Sequence, residues 1–297
     1  MYRSSVIFGT IFALFITVVL LTAPLATAQE PAIVRLLAAQ RVELLPQEPL
    51  CWNVFSASLP VSGRIPPEGY ISAPLLLGYA TKGTHRFEFA GGPTVNLQAG
   101  EGRFIGNENW FAHSNIGTVS ADSLVFALTC QQFPPPGIPG AQHLTKTDIL
   151  PGIRMGPAPY LVQLLEIKGV PGSMTAAQTT PGPLTAYFTE GTVAVTTPSG
   201  VKQYKAGELV VIPPGTPFET ATVGNVPATA LVTLITPVGE PPQQRLAGGV
   251  TGSATPSALP RTGDPPLAIN PFAILLGLSL FTVGISARIA MRQRLER

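Results

Sequence analysis

The stretch that decides the fold is residues 187–218, YFTEGTVAVTTPSGVKQYKAGELVVIPPGTPF. Within it, Val193 to Thr197 is rich in β-branched residues, a Pro-Ser-Gly turn follows, and the chain returns through Val201 to Tyr204. This pattern predicts a β-hairpin. The apolar run Leu209 to Ile212 predicts a further strand, which ends at the prolines that follow because proline has no N–H to donate to a ladder.

The same pattern occurs earlier in the chain. The matched segments are 79–83 with 187–191, 99–101 with 206–208, 104–105 with 211–212, Phe111 with Phe218, and Gly117 with Gly224. The offset is 108 residues in the first match and 107 in the others. A constant offset of this length is typical of a duplicated domain and not of a solenoid. Because 32 Pro and 30 Gly favour turns and no sustained helical period is present, the sequence predicts an all-β fold.

The second copy resembles the cupin superfamily. A cupin motif has Gly, five residues, Pro-x-Gly, two residues and a metal-binding His, and Gly207, Pro213 and Gly215 fit that spacing. The resemblance covers roughly residues 160–236 and, through the repeat, residues 51–130. It implies a bicupin, with two double-stranded β-helix barrels. The first copy fits less well, since its residues 106–108 are Gly-Asn-Glu and not Pro-Pro-Gly.

The metal ligands that the resemblance implies are missing from the second copy. The position of the later His holds Phe218, and the region of the earlier His pair falls near residues 178–180, Gln-Thr-Thr. An aromatic hydrocarbon ring cannot ligate a metal, so the second copy is expected to hold none and no cofactor is predicted.

The first copy leaves one catalytic alternative open. His85 and His113 could form a displaced metal site with Glu88 and Glu108 as carboxylate partners, whereas the simpler interpretation is two ordinary histidines. The first hypothesis is therefore a non-catalytic binding or structural module. The second is a metal-dependent oxygenase or isomerase. Trp52 and Trp110 could stack on a sugar ring or pack in the fold.

Both chain ends predict export and anchoring. Arg3, the apolar run Val6 to Leu21 and the small residues 26–28 are the three parts of a secretory signal peptide, with cleavage after Ala28; an uncleaved membrane helix is the alternative. Residues 267–287 are long and apolar enough to form a transmembrane helix. By the positive-inside rule, the tail that follows is cytoplasmic because it carries four arginines, Arg288, Arg292, Arg294 and Arg297.

Just before that helix stands the pentapeptide Leu259, Pro260, Arg261, Thr262, Gly263. With its spacer, apolar stretch and basic tail it resembles the LPxTG sorting signal of sortase substrates; the alternative is a chance pentapeptide. The resemblance implies that a sortase-type transpeptidase attacks the carbonyl of Thr262 and joins the protein to an amine of the cell wall. Without a sortase, the helix itself would remain the membrane anchor.

The predicted organisation has six parts. They are a signal peptide (1–28), a cupin-like domain 1 (29–130), a Pro-rich linker (131–150), a cupin-like domain 2 (151–238), a stalk with the sorting motif (239–263), and the transmembrane helix with its basic tail (264–297). In an exported chain, the even number of cysteines invites a disulfide between Cys51 and Cys130, with two separate thiols as the alternative.

The charge balance argues against polyanionic partners. Between Gln29 and Thr262 the chain has 13 Lys and Arg against 14 Asp and Glu. Nucleic acid and anionic lipid both require a basic surface, so neither is an expected partner. The identity of a small-molecule ligand does not follow from the sequence.

Overall fold

The computed structural model describes residues 32–46, 48–107, 109–153 and 158–246, and every regular element in these ranges is a β-strand. The predicted signal peptide, the sorting motif at 259–263, the apolar stretch at 267–287 and the basic tail lie outside them. None of the elements in the described ranges is a helix long and apolar enough to cross a membrane.

The described residues form twenty strands. In chain order they are β1 (Ile33–Val42), β2 (Trp52–Leu59), β3 (Arg64–Ile65), β4 (Ile71–Ala73), β5 (Leu75–Lys82), β6 (Thr84–Phe89), β7 (Thr94–Gln98), β8 (Gly102–Gly106), β9 (Asn109–Asn115), β10 (Ala121–Leu128), β11 (Ala141–Lys146), β12 (Tyr160–Gly169), β13 (Gln178–Thr179), β14 (Leu184–Glu190), β15 (Thr192–Thr197), β16 (Gly200–Lys205), β17 (Leu209–Ile212), β18 (Glu219–Val223), β19 (Ala228–Pro237) and β20 (Gln244–Arg245).

Two blocks repeat one pairing scheme. In block one (β2 to β10), β5 pairs with β8 and β10, and β6 pairs with β7 and β9. In block two (β12 to β19), β14 pairs with β17 and β19, and β15 pairs with β16 and β18. The hairpin and strand predicted at residues 193–212 are present as β15, β16 and β17. The all-β prediction is confirmed for the described residues.

The same turn glycine joins the two sheets of each block. Gly83 follows β5 with φ +73°, and Gly191 follows β14 with φ +70°. A Cβ at Gly191 would lie 2.4 Å from the carbonyl oxygen of Pro227, and one at Gly83 would lie 2.8 Å from the Cα of Ala121. Both the left-handed conformation and the close approach of backbone require glycine here, which explains why the repeat keeps it.

The blocks exchange their first strands. β1 precedes block one but pairs antiparallel with β12 of block two, and β11 precedes block two but pairs with β2 of block one. The main sheets are therefore β11-β2-β10-β5-β8 and β1-β12-β19-β14-β17. The predicted linker at 131–150 consequently contains a strand of block one's main sheet. Its prolines precede this strand, so the Pro-rich signal covers only the part before Ala141.

The two main sheets pack face to face through a common core. Block one contributes Trp52, Leu77 and Phe126, and block two contributes Tyr187 and Leu231 among other residues. The ring of Phe126 meets that of Tyr187 edge-on at 6.3 Å. Each block also has a core of its own between its two sheets.

An ion cluster joins the blocks beside this core. The side chain of Glu166, on β12, is only 4% exposed. Its Oε1 accepts a hydrogen bond from the Tyr79 hydroxyl at 2.8 Å and lies 3.2 Å from the Lys168 ammonium. Its Oε2 lies 2.8 Å from the Arg35 guanidinium. Burial opposes ionisation, but these three donors outweigh it and hold the pKa of Glu166 below its usual value. Burial and the same hydrogen bond raise the pKa of Tyr79 to about 12.

A disulfide joins Cys51 to Cys130, with their Cα atoms 4.6 Å apart. Cys51 immediately precedes β2, and Cys130 follows β10, its neighbour in the sheet. The bond therefore ties the two ends of block one at one edge of the common core.

We predict that Tyr79 and Glu166 are energetically coupled. In a double-mutant cycle of Tyr79→Phe and Glu166→Gln, urea unfolding should give a coupling of about 1–2 kcal/mol, because the hydrogen bond is made to a buried charge. The control is the cycle of Arg41→Gln and Glu43→Gln, an exposed ion pair at 2.7 Å in and just after β1, which should show less than about 0.5 kcal/mol. Equal coupling in both cycles would refute the prediction.

Candidate functional site

The positions that hold metal ligands in the cupin motif come together in both blocks. Gln178 bridges Phe218 in block two, with backbone hydrogen bonds in both directions at 3.0 and 2.9 Å. Ile71 is the register partner of Phe111 in block one. The two pairs are related by the 107-residue offset of the repeat. In each block the place where ligands would converge is therefore built from side chains that include an apolar aromatic ring.

Block two encloses a cavity of about 60 Å³ beside Phe218. This volume is several times the roughly 10–15 Å³ that one water requires. The lining is mainly apolar and comes from both sheets of the block: Ile167, Leu184, Ala186, Phe188, Val193, Val195, Val210, Ile212, Phe218, Ala230 and Val232. None of the described side chains that line it is charged.

Hydroxyl groups stand along one side of this cavity, but they bond to one another. Ser173 Oγ lies 3.1 Å from Thr222 Oγ1, and Thr175 Oγ1 lies 3.1 Å from Thr220 Oγ1. Thr175 Oγ1 also accepts a hydrogen bond from the backbone N–H of Thr220 at 2.9 Å. Each of these hydroxyl oxygens already has a partner, so the polar groups that the cavity offers a ligand are few: these hydroxyls and the side-chain amides of Gln178 and Gln243.

The interior of block one is filled by larger side chains. Phe87 pairs with His113 across β6 and β9, and the corresponding pair across β15 and β18 is Val195 with Thr220. Phe55 and Phe133 meet edge-on at 5.6 Å in the same interior. The remaining cavity is about 30 Å³. The two interiors thus share a strand framework and differ in how completely it is filled.

His85 and His113 lie together in block one as a buried pair. His85 Nδ1 lies 2.7 Å from His113 Nε2, and His85 Nε2 lies 3.0 and 3.1 Å from the carbonyl oxygens of Lys82 and Asp122. Carbonyls only accept, so the His85 proton sits on Nε2 and its Nδ1 accepts from His113 Nε2–H. The His113 ring stacks on Phe87 at 4.2 Å.

Burial makes both imidazoles neutral. Desolvation lowers the pKa of His113 to about 3, with a smaller contribution from His85. Desolvation also lowers the pKa of His85, against the two carbonyls that favour its charged form. The pair is therefore a packed, hydrogen-bonded unit of the block-one interior at neutral pH.

This geometry does not assemble the displaced metal site. Two nitrogens bound tetrahedrally to one ion at about 2.1 Å lie about 3.4 Å apart, and a separation of 2.7 Å is that of a direct hydrogen bond. Glu88 lies on β6 at an odd spacing from His85, so strand alternation places it on the opposite face of the sheet. Glu108 lies outside the described residues. No group of three or more potential metal-ligating side chains occurs in the described part of the chain.

The remaining candidates lie apart from the block-two cavity. Trp52 is 1% exposed in the common core and cannot stack on a sugar, whereas Trp110 is 58% exposed on β9. His143 is exposed on β11. Tyr187 belongs to the common core, and its burial raises the pKa of its hydroxyl. The signal peptide site at Ala28 and the sorting motif lie outside the described ranges.

Comparison with known proteins gives similarity only at the level of fold. No family model and no curated protein sequence matches the chain. Among solved structures, it is similar to oxalate decarboxylase of Lactobacillus farciminis in a formate complex (12% identity, TM-score 0.49, 74% of this chain and 90% of that chain). It is also similar to oxalate decarboxylase of Bacillus subtilis at pH 4.6 (13%, 0.49, 74% and 79%) and to a cupin 2 conserved barrel domain protein of Leptotrichia buccalis (13%, 0.35, 71% and 92%).

We predict that the histidine pair makes the protein sensitive to acid. A histidine in the unfolded chain binds a proton near pH 6.5, whereas His113 in the fold binds one only near pH 3. The free energy of unfolding therefore falls as the pH drops below 6.5, by up to about 1.4 kcal/mol for each pH unit. Urea unfolding from pH 7 to 4.5 should show a shallower loss in His113→Phe. His143→Gln, at an exposed position, should retain the native slope, and equal slopes in all three proteins would contradict the prediction.

Proposed function

We propose that this chain is an exported, surface-anchored protein of the cupin superfamily that acts as a non-catalytic binding module for a small, uncharged, apolar molecule. Each block would be one double-stranded β-helix barrel. The observation that supports this function is the cavity of about 60 Å³ in block two, which lies beside Phe218 at the position of the motif's metal ligand and is lined mainly by apolar side chains.

Membership of the superfamily is supported by motif and topology together. The spacing of Gly207, Pro213 and Gly215 matches the motif, and Pro213 directly follows β17. The bridge between Gln178 and Phe218 joins the positions that the motif brings together for a metal. The identical strand pairing in block one extends the assignment to both halves.

The chemistry of the cavity selects the class of ligand. A charged molecule would lose its hydration there without gaining a charged partner, which costs several kcal/mol or more. An apolar molecule gains about 25 cal/mol for each Å² that it removes from water. The lining hydroxyls already have hydrogen-bond partners, so together with the amides of Gln178 and Gln243 they provide few polar contacts for a ligand.

A metal-dependent reaction is the less supported alternative. The cupin fold would imply a metal, but Gln178 with Phe218 and Ile71 with Phe111 do not provide the imidazoles and carboxylate that hold one. His85 and His113 are within direct hydrogen-bond distance of each other, and Glu88 is on the other face of its strand. The side chains present therefore favour binding over metal catalysis.

Export and anchoring rest on the sequence at both ends. The signal peptide, the pentapeptide at residues 259–263, the apolar stretch and the arginine-rich tail all support one topology, with both blocks outside the membrane. A disulfide between Cys51 and Cys130 is compatible with an oxidising compartment. A sortase-type transpeptidase is the partner that the pentapeptide implies.

We predict that xenon, an apolar probe small enough for the cavity volume, binds in the block-two cavity. Met174 lines the cavity, so in protein labelled with ¹³C-methyl methionine its signal should move as the xenon pressure is raised. Val195→Phe should weaken binding at least tenfold, because it introduces the ring that Phe87 places at the equivalent position of block one. Met174→Leu assigns the signal among the four methionines.

The filled variant requires a control for overpacking. Val193→Ile adds only one methylene to the same cavity and should weaken xenon binding by a smaller factor, while both variants keep a cooperative thermal transition. A Met174 signal that does not respond to xenon, or one that responds equally in Val195→Phe, would refute the binding site.

We predict that Thr262→Ala abolishes covalent linkage to the wall. The variant should remain in the membrane fraction, because the proposed transpeptidase acts at the Thr262 carbonyl and the apolar stretch would persist. Thr251→Ala, in the stalk, is the matched control and should be linked as the native protein is. Equal amounts of all three proteins in the wall-linked fraction would rule out sorting at this site.

A further inference from the structure

We infer that the segment following β19, residues 238–246, is a gate over the binding site of block two. This inference rests on the proposed function, because it concerns access to the same cavity. The segment carries the chain from the last strand of block two towards the predicted stalk. Gln243 of this segment lines the cavity, as does Ala32 at the start of the described chain.

The gate is held at its far end by a short ladder. β20 pairs antiparallel with β13, with Gln244 opposite Thr179 and Arg245 opposite Gln178. The Leu246 N–H donates to the Ala177 carbonyl at 2.9 Å. These contacts join the segment to the strand whose Gln178 bridges Phe218 in the cavity wall. The gate therefore closes directly onto the wall of the site.

Little apolar burial supports this ladder. Both residues of β20 are exposed, and Leu246 is 38% exposed. Two-stranded pairings of this length have marginal stability in water, and segments with few buried contacts open locally at low cost. Loss of the ladder would leave the backbone hydrogen bonds between Gln178 and Phe218 in place, so the gate can open without dismantling the wall.

In block one, the corresponding segment is held over the interior by more extensive contacts. After β10, residues 131–140 also pass over the block's interior, and Phe133, Pro134 and Ile138 line its cavity. Phe133 is buried and packs edge-on against Phe55. The chain then continues into β11, which is fixed in block one's main sheet. Aromatic packing and a sheet strand therefore seal block one, whereas two exposed residues hold the cover of block two.

The gate is tested by locking and by loosening it. In Thr179→Cys with Gln244→Cys, oxidation should tie β13 to β20; the native cysteines are already bonded to each other. Xenon exchange, followed on the Met174 methyl signal, should become at least tenfold slower. In Leu246→Pro the N–H that bonds Ala177 is lost, and exchange should become faster. Thr192→Cys with Lys205→Cys, a cross-strand pair of the β15–β16 hairpin, is the control and should leave the rate unchanged.

The outcomes separate the gate from the site. Slow exchange in the locked protein, reversed by reduction, supports the gate. Xenon binding with native exchange rates in both the locked and the proline variants would overturn the gate and leave the site intact. Absence of any response of the Met174 signal to xenon in the unaltered protein would overturn the proposed site and the gate with it.

Discussion

The packing of the two main sheets against each other is the interaction on which the rest of the structure depends. Trp52 and Phe126 of one block meet Tyr187 and Leu231 of the other in a single core, and fully burying a side chain of this size contributes about 1.5–3 kcal/mol. Because β1 and β11 are exchanged, each of these sheets is completed by a strand that precedes the other block. The main sheet of block two therefore takes a strand from before block one, while that of block one takes the strand that links the two blocks. The ion cluster at Glu166 adds a polar tie at which β1, β5 and β12 meet.

This constraint applies to one face of each main sheet and leaves the opposite faces free to differ. Side chains alternate along a strand, so the residues facing the common core and those facing a block's interior vary independently. The second sheet of each block, which covers the same interior, differs too: block one has His85, Phe87 and His113 where block two has Val193, Val195 and Thr220. The duplicated framework can thus combine one filled interior with one that retains a cavity.

The sequence predicted the all-β fold and the duplication well because both depend on local signals. The β-branched run and turn residues within 193–204 and the repeated glycines Gly83 and Gly191 are visible in the chain itself. The exchange of β1 and β11 was not predicted, because strand partners far apart in sequence leave no local signal. The sequence brought His85 and His113 together only as a displaced metal site, and their direct hydrogen bond was not predicted, because it depends on how the side chains pack. The ion cluster at Glu166 was not predicted, because a single glutamate in an apolar strand has the same local sequence whether or not it has charged partners.

The unequal filling of the two interiors is itself an argument for function in block two. At about 24 cal/mol for each Å³, a cavity of about 60 Å³ costs roughly 1.4 kcal/mol of stability. Block one shows that the same strand framework accepts a phenylalanine at the position of Val195, so the cavity is not imposed by the backbone. The larger interior lies under the cover that is held by only a short ladder, whereas the smaller one lies under Phe133. A cavity that the fold could fill but does not, beneath a cover that can open, is the arrangement that a binding site requires.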